Sequence, residues 1–185
     1  MYPAEDFAAV KKYGLNMLVT ADDQVKAYIK RIMKQLSSWL LHGKISKLVV
    51  VITSKDTGET LERWQFDVQV LGKTAAAPAA PATTDENGEP VAAVPEKTVV
   101  KTEKEIQDEI QSLFRQITAS VTFLPMLDGR CTFNVLVYAD GDAEVPVEWG
   151  DSDAREIVDG EKVTLRSWGT SSHKVDTLVS YRLQE

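Results

Sequence analysis

SKLVVVIT, at residues 46–53, constrains the fold more than any other stretch. Its apolar residues run almost without a break, and most branch at Cβ, which suits pleated backbone. A strand apolar on both faces is covered on both faces, so this one belongs in the middle of a sheet. Ser54-Lys55-Asp56-Thr57-Gly58 then supplies turn chemistry.

The chain returns in LERWQFDVQV, residues 61–70. Trp64, Phe66, Val68 and Val70 point one way, and Arg63, Gln65, Asp67 and Gln69 the other. That alternation predicts a half-buried strand, paired antiparallel with the first. CTFNVLVY, residues 131–138, is a third strong strand.

Two helices are predicted beside the strands. Val25, Tyr28, Ile29, Ile32, Met33, Leu36, Trp39 and Leu40 recur at three- and four-residue spacing over 23–42. Asp22 or Asp23 caps that helix and Gly43 ends it. Thr102 and Glu105 have capping-box spacing ahead of Ile106, Ile110, Leu113, Phe114 and Ile117, which places a second helix over about 103–120. Near the start, Tyr13-Gly14 lies between two apolar runs and predicts a hairpin.

Residues 72–100 differ in kind. Alanine and proline dominate and large apolar side chains are scarce, so this insertion is expected to stay flexible. The last third has its own texture. Asp140-Gly141 and Asp159-Gly160 mark turns, and VPVEWGDSDAREIVDG (145–160) is irregular. Residues 161–170 and 174–183 predict two strands with a short link. This end is expected to act as a mobile flap.

Composition narrows the function. With 185 residues and a formal net charge of −7, the chain suits one acidic domain rather than a non-specific nucleic-acid binder. Nothing basic is clustered for an anionic membrane, and the longest apolar run, Leu48–Ile52, is too short to span a bilayer. The acidic N-terminus does not read as a signal peptide. A single cysteine, Cys131, excludes an internal disulfide and fits a reducing compartment.

Catalytic chemistry finds little support. His42 and His173 have no second ligand at metal spacing. Cys131 heads an apolar strand and reads as a buried, inert thiol. Asp140/Asp142 and Asp151/Asp153 read as solvated turn acids. A hydrolase using these acids with His173 is the alternative from a different functional class. Trp39 and Trp64 read as core residues, whereas Trp149 and Trp168 either anchor the flap or contact a partner.

LERWQFD at 61–67 and RQITASVTFLP at 115–125 resemble hallmark stretches of the HORMA-domain family, in its spindle-checkpoint branch. YPAEDFAAVKKYGLNMLVT, QLSSWL, KLVVVI, IQDEI and VTLRSW with HKV follow in the family's order. The resemblance covers nearly the whole chain outside 72–100. It implies one α+β HORMA domain over 1–185: a three-stranded antiparallel sheet backed by helices, with a mobile safety belt over about 141–185. It also implies a non-catalytic, cofactor-free adaptor. A partner peptide, apolar with a basic start, would add as a strand beside 131–138, and the belt would close over it onto the edge of 61–70.

The partners implied are the checkpoint coiled-coil protein at kinetochores, the activator of the anaphase-promoting complex, a comet-type silencing protein, an AAA+ remodelling ATPase and a second copy of the chain. The places implied are nucleus, kinetochore and cytoplasm. Peptide-site positions carried over are Trp39, Val135, Val137 and Tyr138. By alternation Val135 and Val137 share a face and Tyr138 opposes it, so the three do not line one pocket. The pairing and silencing-protein surface carries over to Arg115, Gln116, Phe123 and Arg166.

Relative to the family the sequence is shortened at the N-terminus, lacking a first strand and a long helix. The expectation is exposed apolar surface on both helices and a belt biased toward the closed arrangement. Two other HORMA adaptors remain as readings: a translesion-polymerase subunit and a meiotic axis protein. LERWQFD and RQITASVTFLP favour the checkpoint branch.

Overall fold

In a computed structural model, residues 3–71 and 101–183 are described. The insertion at 72–100 lies outside them. A short 3-10 turn at Ala4–Asp6 precedes a hairpin of β1 (Phe7–Lys12) and β2 (Leu15–Thr20). Both turn residues are left-handed, Tyr13 at φ 50° and Gly14 at φ 70°, the backbone a two-residue hairpin loop needs. Helix α1 (Asp23–Leu41) starts at Asp22, whose side chain accepts from the backbone N–H groups of Gln24 and Val25. Gly43, at φ 59°, follows its last turn.

Strands β3 (Ile45–Ser54) and β4 (Thr60–Val70) form the expected antiparallel pair. Helix α2 (Glu103–Ala119) opens with the full capping box of Thr102 and Glu105. Strand β5 (Cys131–Ala139) pairs with the free side of β3. Strands β6 (Glu161–Gly169) and β7 (His173–Tyr181) close the chain as a second hairpin. The sheet order is β5-β3-β4-β7-β6, entirely antiparallel. A three-stranded sheet was expected, with the C-terminal segment landing on the edge of 61–70; the C-terminal hairpin lands there, adding β7 to β4 from Glu62–Tyr181 to Val70–His173 and extending the sheet to five strands.

Cross-strand register assigns the faces. Leu48, Val50, Trp64, Phe66, Val135 and Val137 share the helix side. There Leu48 and Val137 pack against Leu36, Trp39 and Ile45. Val49, Val51, Arg63, Gln65 and Tyr138 share the other side. Val49 and Val51, at 0 % and 1 % exposure, show that this second face is covered too.

That cover corrects one expectation. Arg63, read as part of a solvent-facing row, is 4 % exposed, whereas Trp64, read as core, is only half-buried. The segment between β5 and β6 crosses this face and removes the arginine from water. On the helix side, α1 leaves Ile29 and Met33 exposed at 41 % and 52 %.

Candidate functional site

Strand β5 is the outermost strand at its end of the sheet. One side pairs with β3; among the described residues no strand pairs with the other. An open edge of this kind presents a row of N–H and C=O groups ready for another strand. Val135 and Val137 stand on the helix side of that edge, and Tyr138 on the opposite side.

Residues 140–160 emerge from β5 and are tied down in sequence. The backbone N–H of Asp140 donates to the carbonyl of Lys44 at 2.9 Å. The Lys44 ammonium then binds the Asp142 carboxylate at 2.6 Å. Their hydrogen bond lowers the Asp142 pKa and raises that of Lys44, so both stay charged at neutral pH. Next, the Trp39 ring N–H donates to the carbonyl of Glu144 at 3.1 Å. Trp149 meets Trp39 edge to face, with centroids 5.1 Å apart. Trp149 is therefore an anchor. Trp39, at 5 % exposure, is the post it ties to rather than an open pocket wall. A surface hollow of about 750 Å³ lies here, bounded by Trp39, His42, Lys44, Asp142 and Pro146 among others.

The far end of the segment is fixed on the sheet. Arg63 Nε donates to the carbonyl of Ala154 at 3.2 Å. The same guanidinium donates to Gln65 Oε1 at 2.5 Å and reaches the Tyr138 hydroxyl at 3.5 Å. Gln65 donates onward to Asp67, and Asp67 pairs with Lys47 at 3.5 Å. Lys47 sits 4.9 Å from the centre of the Tyr138 ring, which completes a polar circuit. Ile157, 6 % exposed, follows Ala154 into the core. Tyr138 thus lies under the crossing segment.

A second surface gathers at α2 and β6. Arg115 is exposed, while Gln116 is half-buried because its Oε1 accepts from the backbone N–H of Arg166 at 2.6 Å. The Arg166 residue is exposed, and the Phe123 ring lies tilted against that of Tyr181, with centroids 5.8 Å apart. Gln116 and Arg166 are joined directly; no contact joins Arg115 or Phe123 to that pair among those described. Sequence reasoning missed Arg63, Lys101 and Glu109. The Lys101 ammonium binds both oxygens of Glu109, and the carboxylate accepts from the backbone N–H of Gly169.

Three of the groups weighed for catalysis are engaged elsewhere, whereas His173 Nε2 is buried with no hydrogen-bond partner among the described residues. Asp142 is engaged by Lys44, Asp153 by Arg155, and buried Cys131 lies near the Asp128 carbonyl. Among the described residues no cluster of His, Cys, Asp and Glu is arranged to bind a metal ion.

Comparison with known proteins follows the same lines. The HORMA domain pattern matches residues 1–173. The mitotic spindle checkpoint component mad2 of Schizosaccharomyces pombe is 51 % identical, aligned over 99 % of this chain and 82 % of that protein. The human mitotic spindle assembly checkpoint protein MAD2A is 43 % identical, over 99 % and 80 %. A chain in a crystal structure of the mitotic checkpoint complex superposes with a TM-score of 0.80 at 50 % identity, covering 98 % of this chain and 87 % of its own length. Caenorhabditis elegans HTP-1 bound to the HIM-3 closure motif shares the fold, with a TM-score of 0.68 at 16 % identity, covering 100 % of this chain and 82 % of its own length.

Proposed function

This chain belongs to the HORMA-domain family, and we propose that it is a spindle-checkpoint adaptor that captures a partner peptide as an added strand on β5. The observation that carries the reading is the open β5 edge with residues 140–160 leaving it and crossing the sheet. A strand added there gains backbone hydrogen bonds, and the crossing segment retains it. Because release requires that segment to detach, dissociation is slow. No step needs a nucleophile, metal or cofactor, so the work is binding.

The peptide expected is apolar with a basic start. It comes from the kinetochore coiled-coil checkpoint protein or from the activator of the anaphase-promoting complex, and sequestering the activator delays anaphase. Arg115, Gln116, Phe123 and Arg166 form the surface for a second copy and for the comet-type silencing protein; an AAA+ ATPase reopens the closed form. These partners place the protein in nucleus and cytoplasm and at kinetochores. Identities of 43–51 % to checkpoint relatives support this branch over the other HORMA adaptors.

The test is a binding assay with a labelled peptide from the anaphase activator, using the parent chain, Trp39→Ala and Trp149→Ala. Binding by the parent that both substitutions weaken supports capture. No binding by a folded parent chain rejects it.

A further inference from the structure

We infer that α2 is the latch of the C-terminal hairpin, with Glu109 and Gln116 serving as positioning residues that stand in for a sixth strand along the outer edge of β6. This deepens the peptide-capture reading and rests on it for its functional consequence.

Strand β6 ends the five-stranded sheet, so its outward backbone groups have no strand to bond. Exposed edges of this kind pair promiscuously or fray. Here two of those groups are met by side chains of α2. The Arg166 N–H donates to Gln116 Oε1 at 2.6 Å, and the Gly169 N–H donates to Glu109 Oε2 at 3.0 Å.

The spacing of donors and acceptors agrees. Glu109 and Gln116 are seven residues apart, two helical turns, which separates them by about 10.5 Å along one face of α2. Arg166 and Gly169 are three residues apart, about 10 Å of strand. In a regular strand, N–H groups three residues apart face opposite edges. Strand β6 is not regular: Leu165 pairs with Thr177 but Trp168 with Val175, so three steps on β6 match two on β7. This extra residue is a bulge, and it turns both N–H groups toward α2. Helix and strand run in opposite directions, 109 to 116 against 169 to 166.

The Glu109 end is reinforced. Lys101 Nζ lies 2.7 and 2.8 Å from the two Glu109 oxygens and 3.5 Å from the Gly169 carbonyl. Both polar groups of the Gly169 backbone are therefore gripped, one by the acid and one by the base. Residue 169 has no room for a side chain, since a Cβ there would lie 2.9 Å from the His173 carbonyl oxygen. The lysine and glutamate side chains are 30 % and 34 % exposed, so solvent partly screens the pair. If β6 and β7 leave β4, Glu109 and Gln116 lose these backbone donors together. The latch therefore opposes the motion that would free a captured peptide.

The test is amide exchange by NMR on the free chain, followed by peptide dissociation rates. Glu109→Ala should speed exchange at Gly169 about tenfold, and Gln116→Ala should do the same at Arg166, the loss expected when a charged or well-aligned acceptor is removed. Amides of β3 and β5 should keep parent rates. Glu109→Gln keeps an acceptor for Gly169 and loses the Lys101 pair, so its effect should be smaller than that of alanine; it also serves if the alanine variant folds poorly. Gln107→Ala, on the exposed part of α2, should change nothing. Peptide dissociation should quicken in both alanine variants. Parent exchange rates at Arg166 and Gly169, or uniform acceleration through β3 and β5, would overturn the latch. A parent chain that binds no peptide counts against capture alone, because the exchange comparison still decides the latch.

Discussion

Arg63 Nε donates to the carbonyl of Ala154 at 3.2 Å, joining two residues 91 positions apart. The arginine is 4 % exposed, and the contacts resolved for its guanidinium are to a carbonyl, an amide and a phenol rather than a carboxylate. Among the described residues that charge is met by hydrogen bonds, so detachment of the crossing segment would remove one of its acceptors.

Arg63→Ala is expected to release the segment. Removing a charged donor costs about 1.5–3 kcal/mol and leaves the Ala154 carbonyl and Gln65 amide without their partner. Exchange should quicken through residues 150–158, and peptide dissociation should rise about tenfold or more. Arg63→Lys should not restore parent behaviour, because an ammonium cannot serve three acceptors in the plane of the guanidinium fork. Parent dissociation rates in both variants would contradict this.

Trp39 and Trp149 should be coupled energetically. A double-mutant cycle on thermal or urea stability is expected to return about 0.5–1.5 kcal/mol of interaction between the rings, beyond the cost of either truncation. Trp39→Ala alone should cost about 3–5 kcal/mol, since the ring packs with Leu36 and Ile45 in the core. Simple additivity would show that the ring contact contributes nothing to anchoring.

Glu62 gives a pH dependence with a definite sign. It is 6 % exposed on β4, opposite Tyr181 of β7. Burial raises its pKa above 4.5, and the hydrogen bond from the Trp64 ring N–H offsets only part of that. A carboxyl whose folded pKa is raised favours the folded state below its unfolded pKa. That contribution is lost as pH rises through the folded value. Glu62→Gln should therefore be more stable than the parent near neutral pH, and the difference should shrink on acidification toward 4.5. Urea midpoints across that window decide it; a glutamine variant that is less stable at neutral pH contradicts the assignment.

Arg115→Glu should separate folding from association. The residue is exposed, so stability should change by no more than about 0.5 kcal/mol. Reversing the charge should weaken self-association and silencing-protein binding without altering the dissociation of a captured peptide. Unchanged association by sedimentation would remove Arg115 from the pairing surface.

The elements were legible because each is written in local pattern. Tyr13-Gly14 announced its turn, Thr102 and Glu105 their capping box, and the run at 46–53 its central place. The fates of Arg63 and Glu62 were not legible. Alternation reports which side chains share a face, but not what covers that face; over Arg63 the cover comes from Ala154, 91 positions away, and Glu62 lies opposite Tyr181 of β7. The same limit hid Glu109: nothing in α2 alone distinguishes an acid that meets solvent from one that meets the backbone of Gly169. Trp39 was legible as a core residue, but its tie to the Glu144 carbonyl was not. Peptide addition on β5 is proposed from resemblance together with the edge, since an open edge has no sequence signature of its own.

The most direct test of the account is amide exchange along Cys131–Ala139 with and without bound peptide. In an antiparallel edge strand, alternate N–H groups bond the neighbouring strand and the rest face outward. Peptide binding should newly protect the outward-facing amides of β5, in alternation, while those bonded to β3 are already protected. A bound peptide that leaves every β5 amide at its free rate would contradict it.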